Sequence, residues 1–426
     1  MTVRVGIPRT ALCLALIVLV LLTAAGCGSD DGAPEGKVEV SWSSPGQDSE
    51  VSGIENLKVS ASSDEGVAAV EFYVDAVDEA HLIGTVTDNV GALYTQLWYT
   101  TDVANGEHTL HAVARDGEDQ SEQASMTVTV ANVSRAEAIA DLVTWQKWTP
   151  QTDAHGPVLS PAFSSVFHDP VPMEAPITTA GSEDSPFITP DGNSFYFVFV
   201  PNMSLPAEEQ IRDQVSGIYW SQKTSGAWTE PQRVWLYSGL SLDGAETILG
   251  DTMWFCSVRP GNSREIDMYT AELVNGRWSN WTSIGDLLNV TYDVGEMHVT
   301  ADGSQIYYHS KRPGGHGGRD IWVISQVNGQ WQTPQNVDAV NSEYDDGYPF
   351  ISEDGNELWF TRTAGVPSVY RSLKVNGQWQ APELVVSSLA GEPTLDRAGN
   401  LYFVHHYWDD TAQKLWECDI YVCRRR

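Results

Sequence analysis

The sequence is poor in basic residues. Its 426 residues include 24 lysines and arginines against 57 aspartates and glutamates, which gives a formal net charge of −33 at pH 7. Because phosphate backbones are bound through a positive field, this balance argues against nucleic acid as a partner. It also argues against direct adhesion to anionic lipid, unless divalent cations bridge the two. The acidic residues are spread along the chain, which predicts a solvated acidic surface.

Cysteine is scarce as well. Of the five cysteines, Cys13 and Cys27 belong to the N-terminal region, and Cys256, Cys418 and Cys423 remain. Cys418 and Cys423 flank the strand-like DIYV, and an extended chain rises about 3.3 Å per residue. The two sulfurs are therefore predicted to lie too far apart for a disulfide unless the strand bulges. The three thiols are therefore predicted to be small buried hydrophobic side chains.

Familiar catalytic motifs are missing. The sequence has no Gly-x-Ser-x-Gly, no His-Glu-x-x-His and no paired Cys-x-x-Cys. The glycine-rich stretch RPGGHGGRD, residues 312–320, precedes a strand-like run, and no helix follows it to hold a phosphate. The sequence therefore predicts no cofactor and commits no residue to a metal.

One long apolar run is present, and it lies at the N-terminus. Arg4 and Arg9 precede ALCLALIVLVLLTAA, an apolar core that is shorter than the roughly 20 residues needed to span a bilayer. It ends in small residues, as secretion signals do. The segment therefore predicts an exported protein.

The run ends in LLTAAGC, which resembles a bacterial lipobox. The resemblance implies a lipoprotein signal peptide over residues 1–26 and an acyl anchor on Cys27, through which the chain would contact the membrane. Ala24 stands where leucine is commonest, so ordinary signal cleavage that leaves Cys27 unmodified stays open. Gly28 replaces the aspartate that favours inner-membrane retention, which implies the outer membrane or cell surface. The polar, glycine-rich residues 27–36 are predicted to be a flexible tether.

Residues 37–132 alternate between apolar and polar in seven strand-like runs separated by turn signals, which predicts a small β-sandwich. The stretches SSPGQDSEVSG, GVAAVEFYVD and ANGEHTLHAVARD resemble bacterial immunoglobulin-like domains, a family that implies a spacer or adhesion module. Residues 133–166 are interpreted as a connector. In it, Ser134 and Glu137 predict the capped start of a short helix.

The second half of the chain is repetitive. VNGQWQTP at residues 327–334 returns as VNGQWQAP at residues 375–382. Each copy begins with a tight Asn-Gly turn and continues as an aromatic strand, and each is preceded by another strand and by a hairpin. Four short strands over roughly 50 residues are typical of a β-propeller blade.

Five such units begin near Glu183, Asp243, Asp293, Asp345 and Gly391. The fifth unit lacks its outer strand, and FHDPVPM at residues 167–173 is predicted to supply it, which would close the ring and remove free sheet edges. The predicted fold is all-β: an N-terminal immunoglobulin-like β-sandwich, then a five-bladed β-propeller over residues 167–426 closed by an N-terminal outer strand. The repeated tryptophan is predicted to pack between blades.

The order KRPGGHGGRDIWV, NGQWQTP, NSEYDDGYPFISEDGNELWF resembles the TolB-type, WD-like propeller repeat of bacterial envelope proteins. The first unit departs from it, since a long insertion at residues 201–217 stands where the others have RPGG. The resemblance implies an exported propeller that contacts an envelope protein or a glycan. It implies no particular reaction.

One face of this propeller is predicted to carry the functional residues. The favoured interpretation is a lipid-anchored binding or scaffold module that docks a protein, peptide or glycan. Its candidate ligand-binding residues are Asp346, Tyr348, Glu392, Arg312, Arg362, His405, Tyr407 and Trp408.

The alternative is a glycoside hydrolase, because five-bladed propellers of the arabinanase type place three carboxylates on inner strands. The matching residues would be Glu183 or Asp184, Glu246 and Glu296. Every unit carries an acid near this position, however, so the acids equally suit turn capping, pairing with arginine, or oxygen ligation of Ca²⁺. The binding interpretation is therefore preferred.

Overall fold

The computed structural model describes residues 37–91, 93–117, 121–289 and 292–426. The predicted signal peptide, the tether and Cys27 lie outside these ranges. In the part of the chain that is described, no helix is both long and apolar enough to cross a membrane. The described chain is all-β, with a two-sheet domain followed by five antiparallel sheets.

The first domain is the expected sandwich. Its strands among the described residues are β1 (Glu39–Ser44), β2 (Ser49–Val51), β3 (Ile54–Ser62), β4 (Val67–Val74), β5 (Leu82–Val86), β6 (Leu93–Tyr99), β7 (Gly106–Asp116) and β8 (Ser121–Val130). One sheet has the order β1-β3-β6 and the other β2-β8-β7-β4-β5. Leu57 and Trp98 of the first sheet pack against Phe72 and Leu110 of the second. The short β2, which pairs in parallel with β8, lies within the stretch SSPGQDSEVSG.

The segment between the domain and the five sheets begins with α1 (Arg135–Leu142). Ser134 caps it and Glu137 completes the capping box, as predicted. Two short strands follow, β9 (Val158–Leu159) and β10 (Val171–Pro172). The insertion in the first repeat holds α2 (Ala207–Gln210), and short 3-10 helices occupy Glu79–His81, Thr100–Asp102, Pro161–Phe163 and Gly285–Leu287.

Each repeat forms one sheet. The first holds β11 (Ser182–Ile188), β12 (Ser194–Val200), β13 (Gly217–Thr224), β14 (Ala227–Trp228) and β15 (Gln232–Arg233). The second holds β16 (Leu242–Leu249), β17 (Thr252–Val258), β18 (Asp267–Val274) and β19 (Arg277–Ser283). The third holds β20 (Val294–Val299), β21 (Gln305–Ser310), β22 (Asp320–Val327), β23 (Gln330–Trp331) and β24 (Gln335–Asn336).

The fourth sheet holds β25 (Asp345–Ile351), β26 (Glu357–Ala364), β27 (Val366–Val375), β28 (Gln378–Trp379) and β29 (Glu383–Ser387). The fifth holds β30 (Ala390–Leu395), β31 (Leu401–Asp409) and β32 (Lys414–Cys423). Earlier segments complete both of these sheets. β9 pairs with β29, so the predicted connector adds an outer strand to the fourth sheet. β10 pairs with β32, so FHDPVPM supplies the outer strand of the fifth sheet, as the repeat predicts.

The inner strands contact one another in sequence: β11 contacts β16, then β16 contacts β20, β20 contacts β25, and β25 contacts β30. β30 in turn contacts β11. The seam between the fifth and first sheets is apolar, since Tyr402 and Ile420 pack with Phe195 and Phe197. The ends of the repeat region therefore meet.

The repeated octapeptide has a structural role. Asn328 and Gly329 both have positive φ, 51° and 76°, as an Asn-Gly hairpin turn requires. The tryptophans of these strands pack against the preceding sheet, as expected: Trp278 meets Tyr196 edge-on at 6.3 Å between ring centroids. Cys256, Cys418 and Cys423 are free thiols. Cys418 and Cys423 are buried, as expected, whereas Cys256 is only partly buried.

Candidate functional site

The five inner strands share a β-bulge. Each pairs with its neighbour through a one-residue register shift at the same place in the repeat. The bulged residues are Ser185, Ala245, Glu296, Tyr348 and Glu392, and all but Glu296 have φ between 45° and 55°. Non-glycine residues avoid this conformation, and bulges commonly aim side chains at a site. Here they bring five side chains to one axial cavity.

This axial cavity is small. Its volume is about 40 Å³, which is room for roughly two or three water molecules. Ligand sites in proteins usually measure about 300–1,000 Å³. The axial cavity can therefore hold water or an ion, but it has no room for a sugar ring.

Carboxyl groups crowd the cavity. The Ser185 hydroxyl lies 3.0 Å from Glu392 Oε2 and 3.4 Å from Glu296 Oε1. Burial, reinforced by the nearby charge of Asp184, raises the pKa of Glu296 to about 8. The same two causes hold the pKa of Glu392 well above its usual range. Burial and mutual repulsion therefore favour the protonated form of both carboxyls.

Glu246 and Glu183, two other candidate catalytic carboxyls, lie in different places. Glu246 lines the axial cavity, and neither of its oxygens has a hydrogen-bond partner in the described chain. Burial holds its pKa well above the usual range. Glu183 is fully buried and accepts hydrogen bonds from the amide and hydroxyl of Thr179. The axial cavity therefore contains Glu246 and Glu296, whereas Glu183 is engaged elsewhere.

Two of the predicted ligand-binding residues form a buried ion pair. Arg362 Nε lies 2.6 Å from Asp346 Oδ1, and the same guanidinium donates to the carbonyl of Val340. Asp243 and Arg259 form the equivalent pair in the second sheet at 2.7 Å. Acids of the repeat thus pair with neighbouring arginines, which was one of the roles considered for them.

Two further predicted residues lie beneath the connector. His405 is fully buried and bonded to Asp153 Oδ2 at 2.8 Å. Tyr407, also fully buried, stacks on Trp148 and donates to Asp419. The adjacent Trp408 is half-buried. The connector therefore covers this end of the fifth sheet.

A lysine from the connector neutralises carboxylates of the fifth sheet. Lys147 Nζ lies 2.9 Å from Glu417 Oε1 and 2.5 Å from Asp419 Oδ1, and both carboxylates are almost fully buried. Burial alone lowers the pKa of Lys147, but Asp419 and Glu417 more than offset this, so its pKa is raised. No sequence pattern marks Lys147, because its partners lie some 270 residues further along the chain.

The last two predicted residues lie on the third and fourth sheets. Arg312 donates to the Tyr308 hydroxyl at 3.0 Å and covers the ring of Trp322. Tyr348 lines the axial cavity, and its hydroxyl accepts from Arg319 at 3.0 Å. Both side chains are therefore held by neighbours within the fold.

The larger opening lies between the sandwich and the first two sheets. We call it the interdomain cleft, and its volume is about 1,080 Å³. Its lining includes six aromatic side chains and three guanidinium groups: Tyr99, Tyr196, Tyr219, Trp220, Trp235, Trp278, Arg135, Arg233 and Arg277. Sequence reasoning missed it, since its walls come from three parts of the chain.

Specific contacts fix the cleft. Arg277 Nη2 lies 2.6 Å from Asp102 Oδ1, and its guanidinium lies 4.3 Å from the ring centroid of Tyr99. Trp235 packs on Gly53, where an added Cβ would lie 2.6 Å from the indole. Gly53 also has φ of +68°, so two constraints favour glycine there. Both domains thus contribute walls of the cleft.

Comparisons with known proteins identify the first domain. Residues 39–112 match the family model of a bacterial Ig domain. Such a domain indicates an extracellular or surface-exposed protein. A comparison with curated proteins gave no match.

Similarity to solved structures is low. An endo-β-1,4-mannanase from Thermotoga petrophila is 14% identical with a TM-score of 0.20; the match covers 23% of this chain and 20% of the mannanase. A gluconolactonase from Xanthomonas campestris is 12% identical over 63% of this chain and 95% of its own, with a TM-score of 0.35. A 6-phosphogluconolactonase-like protein from Bacteroides uniformis is 10% identical over 78% and 84%, with a TM-score of 0.27. The chain spans about one fifth of the length of the mannanase.

Proposed function

We propose that this chain is an extracytoplasmic binding module that holds a segment of glycan in the interdomain cleft. One observation carries the proposal. The cleft, at about 1,080 Å³, has the size of a ligand site and is lined by aromatic side chains from both domains. The axial cavity, at about 40 Å³, is too small for this role.

The lining suits a sugar. A pyranose ring offers apolar C–H faces and a rim of hydroxyl groups. The half-buried ring of Trp220 suits the C–H faces, because aromatic faces bury apolar surface. The hydroxyl groups can form hydrogen bonds with the donors and acceptors of Arg277, Asp102 and Asn105.

The wider setting is part of the proposal. The five sheets would be the blades of a closed five-bladed propeller of TolB type, supported by the contact of the last inner strand with the first and by β10 in the fifth sheet. The acyl anchor on Cys27 would tether the chain to the outer membrane or cell surface. The sandwich would then be one wall of the binding site as well as a spacer.

Glycan hydrolysis is the second candidate. The raised pKa of Glu296 suits a general acid. The small volume of the axial cavity disfavours it, because the scissile bond must reach that carboxyl.

The test is a screen of the full chain, in detergent, on immobilised polysaccharides, with retention and released sugar both measured. The chain should be retained on at least one polysaccharide without releasing sugar. Trp220→Ala should weaken retention at least tenfold, as expected for an aromatic anchor. Trp281→Ala, an exposed tryptophan outside the cleft, is the control and should bind like the wild type.

Two results would overturn the proposal. Unchanged retention of Trp220→Ala would place binding outside the cleft. Sugar release that disappears in Glu296→Gln would make the protein a hydrolase.

A further inference from the structure

Three metal-ligating side chains meet at the seam between the fifth and first sheets. His406 on β31 and Cys418 on β32 are direct cross-strand partners, so their side chains lie side by side on one face. Asp184 lies on β11, directly before the bulged residue Ser185. One ligand atom from each lies within 4.8 Å of the other two.

One polar atom of Asp184 and one of His406 lack hydrogen-bond partners among the described residues. Asp184 Oδ1 and His406 Nδ1 are buried and have no hydrogen-bond partner in the described chain. Cys418 is fully buried. Buried polar groups are normally satisfied, and an unsatisfied group calls for an explanation such as an ion.

The surrounding charge favours a cation. Glu392 lies close enough to Asp184 to interact with it electrostatically, and Glu296 acts on the same group of carboxyls. The Lys147 ammonium is already paired with Glu417 and Asp419. A divalent ion between Asp184, His406 and Cys418 would offset the repulsion.

We propose that Asp184, His406 and Cys418 form a binding site for a divalent transition metal of the Zn²⁺ class. A thiolate, an imidazole and a carboxylate together suit Zn²⁺, whereas Ca²⁺ and Mg²⁺ prefer oxygen ligands throughout. Bond lengths of about 2.0–2.3 Å place ligand atoms roughly 3.5 Å apart. The side chains need to close by only about 1 Å to reach this geometry.

The metal would have a structural consequence that goes beyond the proposed glycan binding. Asp184 belongs to the first inner strand, whereas His406 and Cys418 belong to the last two strands of the chain. A bound ion therefore cross-links the two ends of the repeat region at the seam. Three protein ligands leave a fourth position for water.

Cobalt titration tests the site independently of any glycan. The full chain, without a histidine tag, is stripped with chelator, dialysed and titrated with Co²⁺. One equivalent should produce a thiolate-to-cobalt charge-transfer band in the near ultraviolet, and Zn²⁺ should abolish it. Zn²⁺ should also raise the melting temperature, because it binds the folded state alone.

Variants separate this site from other thiols. Cys418→Ser should remove the band, whereas Cys423→Ser, equally buried on the same strand, should keep it. His406→Gln and Asp184→Asn should weaken Co²⁺ binding at least tenfold, and these two half-buried positions serve if Cys418→Ser fails to fold. Absence of stoichiometric Co²⁺ binding to the wild type, or a band that survives in folded Cys418→Ser, would overturn the proposal.

Discussion

The connector lysine offers the sharpest stability prediction. Lys147→Met removes the cation that faces Glu417 and Asp419 and leaves both carboxylates buried. Deleting one partner of a buried ion pair costs about 3–5 kcal/mol. The Lys147 side chain is 27% exposed, so solvent screening reduces the expected loss to about 2–4 kcal/mol. In a unit of this size that lowers the melting temperature by roughly 5–15 °C.

The loss should depend on pH with a definite sign. Burial already raises the pKa of Glu417 and of Asp419, and Lys147 opposes this rise. Without the lysine both folded pKa values rise further. A group whose folded pKa exceeds its unfolded pKa favours folding at low pH and ceases to do so as the pH rises through the folded value. The variant should therefore differ most from the wild type at pH 7, and the gap should narrow toward about pH 4.

Thermal unfolding at pH 7, 5.5 and 4 measures this. Lys311→Met is the matched control, because Lys311 and Asp293 form an exposed pair with 51% and 73% of the side chains accessible. That substitution should change stability by less than about 1 kcal/mol at each pH. Two results would refute the role given to Lys147. One is an equal loss of stability from the two substitutions, and the other is a stability difference between Lys147→Met and the wild type that widens in acid.

Three further predictions follow from the buried groups. Arg362→Met should destabilise the chain by about 3–5 kcal/mol in denaturant unfolding, because Asp346 is left buried and unpaired; adding Asp346→Leu should recover part of the loss, and additive losses would contradict the pairing. Trp379→Ala should cost about 2 kcal/mol by opening the edge-on contact with Tyr307 of the preceding sheet, and an unchanged unfolding midpoint would exclude that contact. Burial lowers the pKa of His309 to about 3, so its ring resonances should stay constant from pH 5 to 8; a titration near pH 6.5 would show that the ring is exposed.

Much of the fold could be predicted because it repeats. The Asn-Gly turns and aromatic strands recur with a constant period, and each copy supports the interpretation of the others. The missing outer strand of the fifth unit even indicated where β10 pairs. By contrast, β2 escaped notice, because its three residues gain their partner from β8, almost 80 residues away.

The sites were harder to predict because they depend on pairing and on domain placement. His406 and Cys418 are cross-strand partners only because of the register of β31 against β32, and this register includes a shift near Tyr407. The interdomain cleft depends on the docking of Arg277 against Asp102, and no local pattern encodes that contact. Lys147 pairs with a carboxylate, that of Asp419, which is far from it in the sequence.

The central claim is that the interdomain cleft binds a glycan. Calorimetric titration of the full chain with an oligosaccharide, prepared from the polysaccharide that retains the chain, tests this claim most directly. The wild type and Glu296→Gln should bind one oligosaccharide with equal affinity, and Trp220→Ala should bind at least tenfold more weakly. Unchanged affinity in Trp220→Ala together with lost binding in Glu296→Gln would move the site to the axis and contradict the proposed function.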